Sequence, residues 1–414
     1  MKSGFTCFIT GCFSLLIIGF SCTSTGKLAT WNFAVLYQPD QQLNGLRCAV
    51  FNLDDSITKL YYQFPVEDLK LKKIAGKAAF VSYNLHFQVY DGYKKGMLVD
   101  SGSIVGIDSV QLSGPMFDSL QLKVATGKNY IVQLIFTDLN AGVSNMRLVN
   151  LPKATHGLST DFLLTDTSNK PIMVDYISRV EKVRIRSRFP VNEAIGLKRY
   201  DFPIRVAAKT PFSYSAVEEP ESIDGEEEIK INITGSLSEP FSIAEEGVLL
   251  TGQLSDGFKI YRFYDGFPTI GSAGIMRESL RYIATDEEYN EMLTLTPKAA
   301  VDKFWIGLTG NSERALSQIR RYYSRVEFAN QLFSVSGEGW MSDRGMVYIV
   351  FGTPNIVYRN AEVEEWTYGE AGNALSVRFY FHPFKNSIGI KDYKLLRMEE
   401  YRRPWHLAVS NWRR

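Results

Sequence analysis

Gly339-Trp340-Met341-Ser342-Asp343-Arg344-Gly345, followed at once by Met346-Val347-Tyr348-Ile349-Val350-Phe351, is the stretch on which the fold of this chain turns. A tryptophan set between glycines and followed by Ser-Asp-Arg-Gly predicts a tight backbone corner with one large apolar anchor and one charged turn. The six residues after it form a nearly continuous apolar run, as expected of a central strand. Upstream, Leu316, Ile319, Tyr323, Val326 and Phe333 step by three and four residues. That spacing predicts an amphipathic helix of ~20 residues, about 30 Å long. Thr285-Asp286-Glu287-Glu288 is a capping-box signature, and Thr296-Pro297 is an N-cap followed by proline, so shorter helices precede the long one. Downstream, residues 363–368, 375–381 and 393–396 supply further strands. The expected form of residues 272–414 is therefore a helix packed on an antiparallel sheet.

Outward from this unit the period changes. Val81, Tyr83, Leu85, Phe87 and Val89 alternate with polar residues, and Tyr130, Val132, Leu134 and Phe136 repeat the device. Asp91-Gly92 and Asn140-Ala141-Gly142 close strands, so residues 31–152 predict an antiparallel β-sandwich. Residues 153–271 predict a second β-rich domain. Its clearest strand places Lys182, Arg184, Arg186 and Arg188 on one face and Val183, Ile185 and Phe189 on the other. Such a basic ladder suits lipid headgroups or an acidic partner; the plainer reading, and the favoured one, is a solvated face with acidic cross-strand neighbours. Residues 218–228 form an acidic loop. The fold class is thus mainly β plus α+β.

The 414 residues carry a formal net charge of +1, which gives no global attraction to nucleic acid. Residues 1–21 hold a minimal positive start and a short apolar core, the pattern of a signal peptide rather than a span. Ser21 before Cys22 resembles a lipobox, in which Cys22 is lipidated and residues 22–30 form a tether; the plainer alternative is a signal peptide cut nearby. Only Cys48 lies in the body, so no internal disulfide framework is expected.

Within the central stretch, a purely structural reading buries Trp340 between helix and sheet, frees the backbone at Gly339 and Gly345, lets Asp343 accept from turn amides and pairs Arg344 with Glu364 or Glu365. The functional alternative gathers Trp340, Asp343, Arg344 and Arg325 around a surface pocket for a polar ligand or partner peptide. The C-terminal arginines and tryptophans (Arg402, Arg403, Trp405, Trp412, Arg413, Arg414) suit docking on a surface.

Taken with Phe304-Trp305, residues 321–330, Arg344 to Ile349, Phe351-Gly352-Thr353-Pro354, Glu365-Trp366 and Phe379-Tyr380-Phe381, this C-terminal unit resembles the GWxTD domain of bacterial envelope proteins, mainly of the Bacteroidota. Gly339-Trp340-Met341-Ser342-Asp343 stands for the naming motif, with Ser342 where the family usually has threonine. After Trp305, Ile306-Gly307-Leu308-Thr309 replaces the family's basic-acidic run. The resemblance implies secretion, a cell-envelope setting, often a lipoprotein, and β-sandwich modules ahead of the domain. It carries no established chemistry.

The four histidines, His86, His156, His382 and His406, have no metal-ligand spacing, and no nucleophile elbow, phosphate loop or dinucleotide fingerprint occurs. No cofactor or metal is implied. The expectation is a lipid-anchored, periplasm-facing outer-membrane protein with a non-catalytic scaffolding or assembly role, its partners the membrane and other envelope proteins. The rival is an envelope hydrolase acting on glycan or peptide with an acidic cleft near Asp343.

Overall fold

The computed structural model describes residues 31–413, except 40–44, 76–77, 96, 110–113, 155–158, 175, 191–193, 205, 215–224, 226–227, 252–256, 311, 371–372 and 374–375. The expected leader, Cys22, the tether and most of the acidic loop therefore lie outside the described residues.

Seven strands follow the period-two pattern: β1 (Arg47–Asn52), β2 (Ile57–Phe64), β3 (Phe80–Tyr90), then after the single turn α1 (Gly92–Lys95) β4 (Leu98–Ser109), β5 (Met116–Lys123), β6 (Lys128–Asp138) and β7 (Val143–Lys153). They form two antiparallel sheets, β1-β2-β5 and β4-β3-β6-β7. Alternate residues of both turn inward: Val81, Leu85 and Val89 meet Leu60, Tyr62, Phe64 and Leu122 in one core, with Phe64 4.4 Å from Phe136 ring to ring. This is the expected sandwich.

The next strands are β8 (Phe162–Asp166), β9 (Tyr176–Ile177), β10 (Lys182–Ser187), β11 (Ala194–Tyr200), β12 (Glu228–Thr234), β13 (Leu237–Ser238), β14 (Phe241–Ser242), β15 (Gly247–Thr251) and β16 (Lys259–Arg262). They make one nine-stranded sheet around a core of Val183, Ile185, Leu197, Ile231, Leu249 and Ile260. At the end of the basic ladder Arg188 meets Asp55 at 2.5 Å and Asp161 at 3.4 Å, tying β10 to the first sandwich. Phe189 lies beyond β10 and is exposed.

The remainder is helical and then β: α2 (Ala273–Ser279), α3 (Asp286–Leu293), α4 (Pro297–Thr309), α5 (Ser312–Phe333), α6 (Asp343–Phe351), the antiparallel sheet β17 (Ile356–Arg359), β18 (Glu364–Tyr368), β19 (Val377–Lys385), β20 (Lys391–Leu395), and finally α7 (Arg402–Trp412). Thr285 and Glu288 form the anticipated capping box, and Pro297 opens α4 after Thr296. Leu316, placed on the apolar face of α5 by its spacing, is exposed instead.

One element differs in kind from its sequence reading. The run from Met346 to Phe351 is not a central strand but the body of helix α6. A continuous apolar run has no period, so it fits a helix buried all round as well as a strand. Every α6 residue but Phe351 is buried. The deciding signal is Ser342, whose Oγ accepts from the Gly345 N–H at 3.0 Å as an N-cap. The C-terminus likewise docks inward, since Trp405 and Trp412 are buried in the same core as α6.

Residues 32–37 precede the sandwich in sequence yet pack against the C-terminal unit. Phe33 N donates to Val357 O at 2.8 Å, Asn32 Oδ1 accepts from Val357 N, and the hydroxyls of Tyr348 and Thr353 donate to Tyr37 O.

Candidate functional site

Helix α6 can lie at the centre of the C-terminal unit only if both its ends are satisfied away from water. At the N-terminus, Ser342 Oγ accepts from Gly345 and donates to Gly339 O at 2.7 Å. At the C-terminus, Arg325 donates from Nη1 to the Ile349 and Val350 carbonyls, and Trp412 Nε1 donates to Val350 O at 3.0 Å. Arg325 also stacks on Trp412, 4.8 Å from the ring centre. It thus serves the end of α6 opposite the motif and is not brought to Asp343.

The motif glycines are small for want of space rather than for unusual torsion angles. A Cβ on Gly345 would lie 1.9 Å from Gly339 O, and one on Gly339 would lie 2.1 Å from Ala329 O. Three backbones, those of α5, the motif turn and α6, touch directly at this point. Trp340 is buried: its backbone N–H donates to Asn330 Oδ1 at 3.1 Å, while its indole donates to Glu338 Oε2 at 2.8 Å. Burial pushes the Glu338 carboxyl up to about 7, and Glu246 and Glu278 push the same way against the indole hydrogen bond.

Asp343 does not close a local turn. Its Oδ2 accepts from Leu395 N at 2.7 Å, and its Oδ1 accepts from Arg397. Arg397 in turn donates to the carbonyls of Lys209 and Thr210. One carboxylate therefore bolts α6 to β20 and, through Arg397, to the extended segment after β11. That segment runs along the motif turn: Ile204 N donates to Ser336 O and Ala208 N to Met341 O, both at 2.8 Å. Burial raises the Asp343 pKa even against the opposing Arg397 charge. Its outer side lines a cleft of about 140 Å³ whose walls include Val206, Met341, Phe384 and Leu395, with Lys394 and Arg397 as cations. Against the acidic cleft expected of a hydrolase, Asp343 is the one carboxylate among the described residues of this lining.

Arg344 points the other way, into the interior. Its guanidinium lies 5.0 Å from the Phe333 ring centre and 4.3 Å from that of Tyr393, between Asp392 at 3.5 Å and Glu364 at 4.0 Å. Glu364 is completely buried and receives Tyr37 Oη at 2.6 Å, Trp366 Nε1 at 2.8 Å and Arg359 Nε at 2.7 Å. Burial alone would raise its pKa; Arg359 and Arg344, with the Tyr37 and Trp366 hydrogen bonds, hold it below the ordinary carboxylate value. Asp392 accepts from Ser336, which accepts from Asn386 at 2.9 Å. Of the two carboxylates that sequence offered to Arg344, Glu364 is the neighbour, and Glu365 faces Arg378 at 3.7 Å instead.

Motif residues Gly339, Trp340, Ser342, Asp343 and Arg344 are therefore contiguous but do not converge on one pocket. Tyr37, Arg359, Asp392 and Arg397 complete the arrangement; Arg359 reaches Glu364 across the β17–β18 turn, whereas the partners of Tyr37, Asp392 and Arg397 lie dozens to hundreds of residues away, so no local pattern distinguishes those three. Burial pushes the Cys48 thiol up to about 11. Among the described residues no group of three or more His, Cys, Asp or Glu side chains is placed to hold a metal ion, and no helix is long and apolar enough to cross a membrane.

No curated protein matches the chain. Solved structures similar to parts of it include a putative beta-galactosidase from Bacteroides fragilis, at 15% identity over 26% of this chain and 16% of that one, TM-score 0.18. Red sea bream transglutaminase is similar at 9% identity over 53% of this chain and 32% of that one, TM-score 0.19. The chain thus spans a third or less of either protein, and similarity at this level carries no functional argument. The family comparison agrees with the motif: residues 249–414 match the GWxTD domain, and this chain carries a GWxTD domain over that range.

Proposed function

We propose that the protein is a lipid-anchored component of the cell envelope, held at the outer membrane by an acylated Cys22 and facing the periplasm, with a non-catalytic scaffolding or assembly role exerted through protein–protein contacts. The observation that carries the non-catalytic part is the use of the motif's polar groups. Ser342, Asp343 and Arg344 are all engaged by partners within the chain, as in a joint rather than a reaction centre. The anchoring part is supported by the Ser21-Cys22 pattern and by acyl chains contributing ~0.8 kcal/mol per buried methylene.

Palmitate labelling of cells expressing the native protein and Cys22→Ala, followed by crosslinking in the labelled membrane fraction, tests both parts. The expected result is label lost in Cys22→Ala and defined crosslinked envelope partners for the native chain. Unlabelled native protein, or a labelled protein with no neighbour, overturns the reading. The hydrolase alternative keeps one supporting feature, the raised carboxyl of Asp343 on the wall of a cleft. It predicts that Asp343→Asn abolishes turnover of envelope glycan or peptide with an unchanged melting temperature, whereas the joint predicts a lowered one.

A further inference from the structure

At one end of the first sandwich a set of polar side chains is buried together: Asn52 at the end of β1, Thr58 on β2, Lys153 at the end of β7, and Thr160 and Asp161 in the turn before β8. Lys153, Asn52 and Asp161 are each only 1% exposed. A buried amine is costly as mere packing, and a desolvated one is a nucleophile. We propose that the side chains of Lys153 and Asn52 become joined by an amide bond, with Asp161 as proton carrier. Because β1 and β7 belong to different sheets, that bond is a covalent staple across the sandwich.

The groups stand in the order the reaction needs. Asn52 Oδ1 accepts from the Thr58 hydroxyl at 2.7 Å, and its Nδ2 donates to Thr160 Oγ1 at 3.0 Å and to Asp161 Oδ1 at 2.9 Å. A carboxylate accepts and does not donate, so the nitrogen end of the amide is the one at Asp161. Lys153 Nζ donates to the same Thr58 hydroxyl at 3.2 Å, which leaves one hydroxyl between amine and carboxamide. Burial, and next the Arg188 charge, lower the pKa of Lys153 against Asp54, Asp55 and Asp161, which favours the neutral, attacking amine. Nζ adds to Asn52 Cγ, the Cγ–Nδ2 bond breaks, and Asp161 carries a proton from Nζ to the leaving nitrogen. The products are a secondary amide and ammonium, so atoms and charge balance without a co-reactant. The staple closes the long loop from residue 52 to residue 153 in a body whose single cysteine, Cys48, offers no internal disulfide. Neither the motif nor the proposed anchoring uses these groups.

Trypsin digestion of the denatured full chain, read by tandem mass spectrometry, tests the bond. Trypsin does not cut after a lysine whose amine is held in an amide, and it spares Lys170 before Pro171. Residues 48–59 and 148–179 should therefore leave as one branched peptide, lighter than the two together by about 17 Da, the mass of ammonia. Lys153→Met is expected to abolish the branched peptide, and Asp161→Asn to slow its formation at least about a hundredfold. Because either variant could weaken the fold, the native chain decides by itself. Separate peptides 48–59, 148–153 and 154–179 from the native chain overturn the proposal, as they would come from a cluster that is only hydrogen-bonded. A branched peptide that forms as fast in Asp161→Asn overturns the proton-carrying role of Asp161.

Discussion

The N-terminal sandwich and the GWxTD unit bury comparable elements by opposite means. In the sandwich, Leu60, Leu85, Val132 and Leu134 close on one another in a cluster free of charges, and the buried Asp138 and Lys153 lie outside that cluster. In the GWxTD unit a helix is buried all round, and charges go in with it: Glu364, Arg344, Asp343 and Asp392 are all buried. An apolar core tolerates a change of shape that keeps its volume, whereas a buried ion set tolerates almost no change of partner. The two regions should therefore respond very differently to nearly isosteric substitutions.

The largest contrast is expected at Glu364. Glu364→Gln keeps the shape but strips Arg359 of its carboxylate and leaves Arg344 only Asp392, and should cost about 3–5 kcal/mol in denaturant unfolding. Leu134→Met in the sandwich should cost less than about 1.5 kcal/mol. Equal losses would erase the distinction. The same carboxylate fixes an acid limit. Its folded pKa is depressed, so its stabilisation is present above the unfolded carboxylate range and is lost as pH falls through the folded value.

Glu338 sharpens the comparison with the reverse sign. Its folded pKa of about 7 exceeds the ordinary 4.5, so the folded state holds the proton more tightly. Its contribution is fully present below about pH 4.5 and is lost as pH rises to about 7, a decline of up to about 3 kcal/mol. Glu338→Gln should flatten that part of a stability–pH profile measured by urea melts. A profile unchanged by the substitution would mean that the Glu338–Trp340 hydrogen bond governs the site more than burial does.

A smaller effect belongs to the cap. Ser342→Ala removes the acceptor for Gly345 N, and should lower stability by about 0.5–2 kcal/mol, while Ser342→Thr, the residue more usual in the family, should restore it. Thermal melts of the two variants separate a cap from a mere small-residue requirement.

The alternation of Val81 to Val89 and of Tyr130 to Phe136 was enough to place β3, β6 and the sandwich, because a period of two assigns each side chain to a face. Thr285 and Glu288 likewise announced α3 through bonds that span only three residues, and Pro297 announced α4 by a ring whose fixed torsion suits the first helical position. Local chemistry of this kind, with the Gly-Trp-x-Ser-Asp string, determined the β-rich start, the helical onset and the identity of the C-terminal domain. Only the tertiary structure decided that the apolar run after Arg344 is a helix, that Asp343 reaches Leu395 and Arg397, and that Tyr37 completes the pocket of Glu364. The physical reason is common to all three. A run without period names no face, and a buried charge names no partner until distant segments have been brought against it.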